Sequence, residues 1–188
     1  MTVDEGLIRL KEGNAMYIAG NNARNISGAY REKLAKEGQH PYAVIVACSD
    51  SRVVPEFIFS AGLGELFVIR VAGNIMADHQ LGSVEYALAH LHCTLVVILG
   101  HSSCGAVNAA IAGGERGYVG TITGEIACAI GAETDDWKAA AANAEKAAEE
   151  IRKALPHMNG IGGATVMSAM YDLASGRVHF NEEACNEY

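Results

Sequence analysis

The 188-residue chain lacks an excess of basic residues: 14 lysines and arginines stand against 22 aspartates and glutamates, a formal net charge of −8. Binding to nucleic acid or to an anionic membrane needs a basic face, so neither partner is expected. The chain also lacks an apolar run of the roughly 18 residues that cross a bilayer. Its start, "MTVDEGLIRLKEG", lacks the basic flank and apolar stretch of a signal peptide. We therefore expect a cytoplasmic protein.

Disulfide signatures and glycine-rich loops are also missing. The five cysteines form an odd set in a chain expected to be intracellular, which disfavours a disulfide framework. Metal binding or catalysis is the better interpretation for any that cluster, whereas Cys93 and Cys128 are predicted to be small buried apolar side chains. No role is expected for Cys185 in the polar tail. No glycine-rich phosphate loop follows any predicted strand, so a nucleotide-binding domain is disfavoured.

Apolar runs of strand length alternate with helical patterns along the chain. Three runs carry Val, Ile and Leu on both alternating faces, as central strands covered on both sides do. The alternation favours an α/β fold with a mainly parallel central β-sheet flanked by helices, an N-terminal helical extension and a C-terminal edge strand. With no repeat or linker, residues 1–188 are predicted to form one domain, 1–38 being a helical arm. The predicted strands are 42–47, 66–71, 94–99 and about 164–171; the predicted helices include one capped by Thr2, then 27–37, 83–91, 104–112 and one capped by Thr134.

Three potential metal ligands follow two of these strands. Cys48 comes directly after the first strand and His101 closely after the third, and the carboxyl ends of parallel strands meet at one edge of a sheet. Cys104 lies three residues after His101 at the predicted start of a helix, which favours the thiolate form. Two thiolates and an imidazole suit zinc, and this set with an open fourth position is a catalytic arrangement.

Asp50 and Arg52 complicate this prediction. Asp50 is two residues from Cys48, close enough to be a fourth ligand that closes the site. Arg52 is close enough to hold Asp50 away in a charge-assisted pair. Water could then take the fourth position, where zinc makes it acidic enough to act as hydroxide near neutral pH. The sequence leaves both arrangements open.

These residues resemble the β-class carbonic anhydrases in order and approximate spacing. The matching segments cover most of the chain: "GNNAR" (20–24), "ACSDSRVVPE" (47–56), "LFVIRVAGN" (66–74), "EYALAHL" (85–91), "GHSSCGAV" (100–107) and "SAMYDLASGRVHF" (168–180). The resemblance implies one Zn²⁺ per subunit on Cys48, His101 and Cys104, with Asp50 and Arg52 as a catalytic gating pair. The implied reaction is reversible hydration of carbon dioxide to bicarbonate and a proton by zinc-bound hydroxide.

The resemblance extends to the plant-type subclass at the substrate pocket. Three residues match positions of that subclass: Gln39, which lies nine residues before the first ligand, Phe67 and Tyr86. It implies a homodimer or a multiple of dimers, in which Gln39 and Tyr86 reach the pocket across the interface and the arm packs on the partner. Apolar walls from Phe67 and Ala72 suit carbon dioxide, and the backbone amide of Gly105 is expected to contact a substrate oxygen. Plain core packing explains the pocket side chains equally well.

Two other functions stay open on the same zinc scaffold. One is hydrolysis of carbonyl sulfide or carbon disulfide. Gln39 and the plant-type pocket positions favour carbon dioxide over these two substrates. The other is a non-catalytic, zinc-stabilised binding protein, which the presence of both Asp50 and Arg52 disfavours.

Overall fold

The computed structural model describes residues 1–21, 26–159 and 163–182. In this part of the chain five strands form one sheet in the order β2-β1-β3-β4-β5. The first four are parallel, and β5 pairs antiparallel with β4 at the edge. The predicted mainly parallel sheet with a C-terminal edge strand is confirmed. The strands are β1 (Ala43–Ala47), β2 (Leu66–Arg70), β3 (Leu95–His101), β4 (Thr165–Tyr171) and β5 (Val178–Phe180).

Seven α-helices of the described residues flank the sheet or extend from it. The Thr2–Glu5 capping box that starts the first helix is confirmed by both of its hydrogen bonds. The prediction that Thr134 caps the last helix is wrong, because the Asp135 carboxylate accepts the Lys138 N–H at 2.9 Å. The helices are α1 (Val3–Ile18), α2 (Gly28–Glu37), α3 (Pro55–Ile58), α4 (Asp78–His90), α5 (Gly105–Ile111), α6 (Gly117–Ile130) and α7 (Asp136–Ala154), with 3₁₀ turns at Ala72–Asn74 and Leu155–His157. No helix in the described ranges is long and apolar enough to span a membrane.

The two central strands are buried along their whole length. Every residue of β1 and β3 is buried because helices cover both faces of the sheet. Ile45 faces the side covered by α1 and α3, whereas Val44 and Val46 face the side covered by α4 and α7. Full burial of each such side chain contributes about 1.5–3 kcal/mol, so the sheet is a rigid base for the residues at its ends.

Helix α1 packs on the core of its own chain. Leu10 is fully buried in the cluster that contains Phe59. The buried amide of Asn14 donates to the carbonyls of Ile58 at 3.2 Å and Gly176 at 2.8 Å, and its oxygen accepts the Val178 N–H at 3.0 Å. Helix α2, by contrast, has no buried residue. Packing of the 1–38 arm on a partner therefore stays a prediction.

The cysteines outside the metal cluster differ in their surroundings. Cys93 is buried as predicted, and its thiol donates to the Pro41 carbonyl at 3.2 Å. Cys128 is exposed, so its predicted burial is wrong. It lies on α6, a helix that the sequence did not reveal, and α6 buries Ile126 and Ile130 instead. Cys185 lies outside the described residues, as do the last three residues of the "GNNAR" segment.

Candidate metal centre

The structure brings Cys48, His101 and Cys104 together at the carboxyl edge of the sheet. Ala47 of β1 pairs with Leu99 of β3, so the chain places Cys48 and His101 just beyond this pair. Cys104 precedes α5 after a short turn. The potential ligand atoms of the three side chains all lie within 4.8 Å of one another.

Apolar side chains of three helices enclose this cluster. His101 is fully buried, and Cys48 and Cys104 are 5% and 1% exposed. Val107 of α5, Ile126 of α6 and Ala140 of α7 belong to the apolar cluster that contains both cysteines. Such a shell limits water and strengthens electrostatic interactions at the site.

The His101 ring is oriented so that one nitrogen is available to a ligand. Nδ1 lies 2.9 Å from the carbonyl oxygen of Ser102, which can only accept, so Nδ1 carries the proton and donates it. Nε2 therefore presents a lone pair, and it is buried without a hydrogen-bond partner among the described residues. A buried polar atom without a partner costs free energy. Metal-binding histidines commonly use this arrangement, in which a second-sphere carbonyl fixes the tautomer.

The two thiols form an asymmetric pair. A hydrogen bond from Cys104 is the main cause that lowers the pKa of Cys48, and the amides of Gly73 and Asp50 add to it. Those amides donate to Cys48 Sγ at 3.3 and 3.4 Å. The pKa of Cys104 is raised because its proton is shared with Cys48 and because it is buried. Binding of a cation to both sulfurs would therefore release a proton.

The donor set fits zinc. Two sulfurs and one imidazole nitrogen are the borderline-soft ligands that zinc prefers, and three protein ligands leave one of four tetrahedral positions open. The orphaned Nε2 and the backbone N–H groups on Cys48 Sγ are the features that a metal at this point would explain.

Asp50 is paired with Arg52 and is not part of the three-residue cluster. Its Oδ1 accepts from the backbone N–H and the Nε of Arg52, both at 2.9 Å, and its Oδ2 accepts from Nη2 at 2.7 Å. The Arg52 guanidinium holds the pKa of the Asp50 carboxyl well below its ordinary value. Of the two arrangements that the sequence left open, the structure shows the pairing of Asp50 with Arg52.

Arg70 is a site residue that the sequence did not single out. At the end of β2, its Nε donates to the Cys48 carbonyl at 3.0 Å and its Nη2 to the Asp50 carbonyl at 2.7 Å. It thereby fixes the backbone between the thiolate and the carboxylate. The sequence feature that could have pointed to Arg70 is a charged residue at the end of an apolar strand. In the sheet, Arg70 lies beside Ala47 of β1, the residue before Cys48.

The predicted pocket residues are only partly brought together. The rings of Phe67 and Tyr86 lie 6.2 Å apart, and Tyr86 is 48% exposed on α4. Ala72 opens the 3₁₀ turn that also holds Gly73, and Gly105 directly follows Cys104. Gln39 is exposed in the loop before β1.

A carbonic anhydrase family model matches residues 43–178, a range that includes the whole cluster. The chain belongs to the carbonic anhydrase family. The carbonic anhydrase of Mycolicibacterium smegmatis is 36% identical over 182 residues, which cover 90% of this chain and 88% of that protein. Carbonic anhydrase 2 of Mycobacterium tuberculosis is 48% identical over 103 residues, covering 55% of this chain and 50% of that protein.

Solved structures place this carbonic anhydrase in the β class. A tetrameric β-carbonic anhydrase of Sordaria macrospora matches with a TM-score of 0.66 at 26% identity, covering 95% of this chain and 98% of that one. A β-carbonic anhydrase of Aspergillus fumigatus matches with a TM-score of 0.64 at 26% identity, covering 85% and 88%. The reaction of this carbonic anhydrase is therefore the hydration of carbon dioxide, and the cluster fits the zinc that this chemistry needs.

Proposed function

We propose that one zinc ion per subunit is bound by Cys48, His101 and Cys104, and that this centre carries the reversible hydration of carbon dioxide. The observation that carries the proposal is the clustering of one His101 ring nitrogen and the two cysteine sulfurs within 4.8 Å of one another, together with the free, buried lone pair of His101 Nε2. Zinc in this position would supply the Lewis acidity that makes water a nucleophile near neutral pH.

Asp50 and Arg52 orient the nucleophile in this proposal. Oδ1 of Asp50 already accepts two hydrogen bonds from Arg52, whereas Oδ2 accepts one and keeps a further lone pair. Oδ2 can therefore accept a hydrogen bond from the attacking oxygen. That bond turns the attacking lone pair towards carbon dioxide. Because Arg52 lowers the pKa of Asp50, the carboxylate is ionised, and therefore a hydrogen-bond acceptor, near neutral pH. Arg70 holds the backbone on which Asp50 sits.

The substrate pocket in this proposal is of the plant type. Phe67, Ala72 and Tyr86 supply apolar walls for carbon dioxide, and the Gly105 N–H donates to a substrate oxygen. A Cβ at Gly105 would meet nothing within 4 Å, which indicates open space beside this residue. Gln39 and Tyr86 act across a dimer interface, and their exposure in the single chain supports this part of the proposal.

The assembly in this proposal is a cytoplasmic homodimer or a multiple of dimers. Helix α2, which buries no residue within its own chain, packs on the partner as the free part of the 1–38 arm. Residues 1–188 act as a single domain, because α1 is already part of the same core as the sheet. Carbon dioxide and bicarbonate are its only proposed small-molecule partners.

Stopped-flow hydration of carbon dioxide, measured with zinc content across pH, tests the function. The zinc-loaded protein should be active at pH 8 and above, and Cys48→Ser and His101→Ala should each abolish zinc retention. Zinc-loaded protein with no hydration at pH 8 contradicts the reaction, and full zinc occupancy in both variants contradicts the ligand set. Carbonyl sulfide and carbon disulfide, offered to the same preparation, should be poorer substrates.

A further inference from the structure

Helix α7 reaches both halves of the metal centre with two polar side chains on one face. Asp136 and Asn143 are seven residues apart, nearly two helical turns, so they project from the same side of the helix. Between them Ala139 and Ala140 are buried against the apolar shell of the cysteines. The rest of the buried face of α7 packs on the sheet.

Asp136 holds the turn that carries two of the ligands. Its Oδ2 accepts the backbone N–H of Ser103 at 2.7 Å, and Ser103 lies between His101 and Cys104. Ser103 has a positive φ of 54°, a conformation that a residue other than glycine adopts only at a cost. The Ser103 carbonyl in turn accepts from Arg52 Nη2 at 3.3 Å. Asp136 therefore fixes the strained turn on which His101, Cys104 and the Arg52 contact all depend.

Asn143 holds the residue that faces the third ligand. It is 4% exposed, and its Nδ2 donates to the Gly73 carbonyl at 2.8 Å. The Gly73 N–H points at Cys48 Sγ. Gly73 has a φ of 72°, and a Cβ there would lie 2.7 Å from Ile126 Cδ1, so this turn has little room to adjust. Packing alone does not explain a buried asparagine in an alanine-rich helix face, whereas this hydrogen bond does.

We propose that Asp136 and Asn143 are positioning residues that hold the two ligand-bearing loops in metal-binding geometry, so that α7 controls how tightly the metal is retained. The proposal rests on the zinc site proposed above. Neither side chain bonds to a ligand side chain; each acts through one backbone residue, Ser103 or Gly73. The ordinary role of Asp136, capping α7, is already filled by Asp135.

Zinc transfer to a chromophoric chelator tests the proposal on the full chain. Loss of an outer-sphere partner lowers metal affinity by about 10- to 100-fold at other sites, so we expect Asp136→Ala and Asn143→Leu to release zinc faster by about the same factor. Asp136→Asn keeps an oxygen that accepts the Ser103 N–H and should restore slow release. Asp135→Ala is the matched control, because it removes the helix cap without touching Ser103. It should lower the thermal midpoint of the zinc-free protein and leave the release rate unchanged.

The absorption spectrum of the cobalt(II)-substituted protein gives a second readout, which should change in Asp136→Ala and Asn143→Leu and not in Asp135→Ala. Unaltered release and spectra in the first two variants overturn the proposal, and so does equally fast release from Asp135→Ala. If Asn143→Leu does not fold, Asn143→Ala replaces it. A wild-type protein that binds no zinc overturns the zinc site itself, whereas tight binding that α7 variants do not alter overturns only the positioning role.

Discussion

The Arg52 guanidinium donates to both carboxylate oxygens of Asp50, from Nε to Oδ1 at 2.9 Å and from Nη2 to Oδ2 at 2.7 Å. The pair lies at the surface side of the cluster, with the Arg52 side chain 55% exposed and that of Asp50 17% exposed. An exposed pair of this kind contributes little to stability. In the proposed function, the pair instead keeps the Asp50 carboxylate, two residues from Cys48, away from the metal.

Loss of Arg52 should therefore uncouple zinc binding from activity. In Arg52→Ala the freed Asp50 can turn towards the fourth position, so zinc content should stay at the wild-type level while kcat falls by about 100-fold or more. Arg52→Lys is the control that keeps the charge without the two-point geometry, and it should recover only part of the rate. Zinc analysis and stopped-flow hydration on the same samples measure both effects. Wild-type turnover in Arg52→Ala would show that the pair has no gating role.

Loss of Arg70 should damage the metal site from the backbone side. Arg70→Ala frees the carbonyls of Cys48 and Asp50, so we expect hydration to fall and zinc release to quicken, each by about 10-fold or more. Arg9→Ala is the matched control. Arg9 lies on α1, pairs with Glu65 at 2.5 Å and is not part of the cluster of Cys48, His101 and Cys104. The prediction fails if the two arginine variants have the same zinc release rate.

A methyl group at Gly13 should weaken the packing of α1. A Cβ at this position would overlap the Phe59 carbonyl, which belongs to the backbone and cannot turn away. We expect Gly13→Ala to lower the free energy of unfolding by about 1–3 kcal/mol or more. Gly124→Ala on α6 is the control, since a Cβ there meets nothing within 4 Å, and it should raise stability by about 0.5–1 kcal/mol. Chemical denaturation of both variants decides whether α1 is docked as described.

Glu145 should make the stability of the fold depend on pH. Burial alone would raise the pKa of Glu145, but hydrogen bonds from Ser168 and Arg152 hold it below its ordinary value of 4.5. A carboxylate with a lowered pKa stabilises the fold above its unfolded-state pKa, and this contribution is lost as the pH falls below that value. Glu145→Gln should therefore lower the free energy of unfolding by about 1–3 kcal/mol at pH 7.

The difference between wild type and Glu145→Gln should shrink as the pH falls below 4.5. Glu149→Gln, on the exposed face of the same helix, is the control and should have a smaller effect at pH 7. Urea denaturation of the zinc-free protein across this range separates the effect from metal loss. A difference that stays constant with pH would mean that the charge of Glu145 is not what stabilises the fold.

The sequence predicted that Cys48 and His101 lie close together because two general rules apply. Apolar runs that alternate with helices favour a parallel sheet, and parallel strands place the residues at their carboxyl ends at the same edge. The state of Asp50 could not be predicted in this way. Ligation by Asp50 and pairing with Arg52 have the same backbone spacing and differ only in side-chain direction.

The supporting residues escaped prediction for another reason. Arg70, Asp136 and Asn143 all act on backbone groups of segments distant in the sequence, and a side chain that bonds to a carbonyl or an N–H leaves no pattern of paired residue types. Helix α6 was missed because it is apolar on much of its surface and lacks a capping side chain at its start. The wrong prediction that Cys128 is buried has the same cause, because Cys128 lies on α6.

The three hydrogen bonds of Asn14 also constrain the order in which the chain folds. They join α1 to Ile58, 44 residues later, and to Gly176 and Val178, which are 162 and 164 residues later. Contacts of such long sequence separation form slowly, because a large loop must close first. During synthesis, α1 cannot complete these bonds until β5 has left the ribosome, so its docking is expected to be a late step of folding.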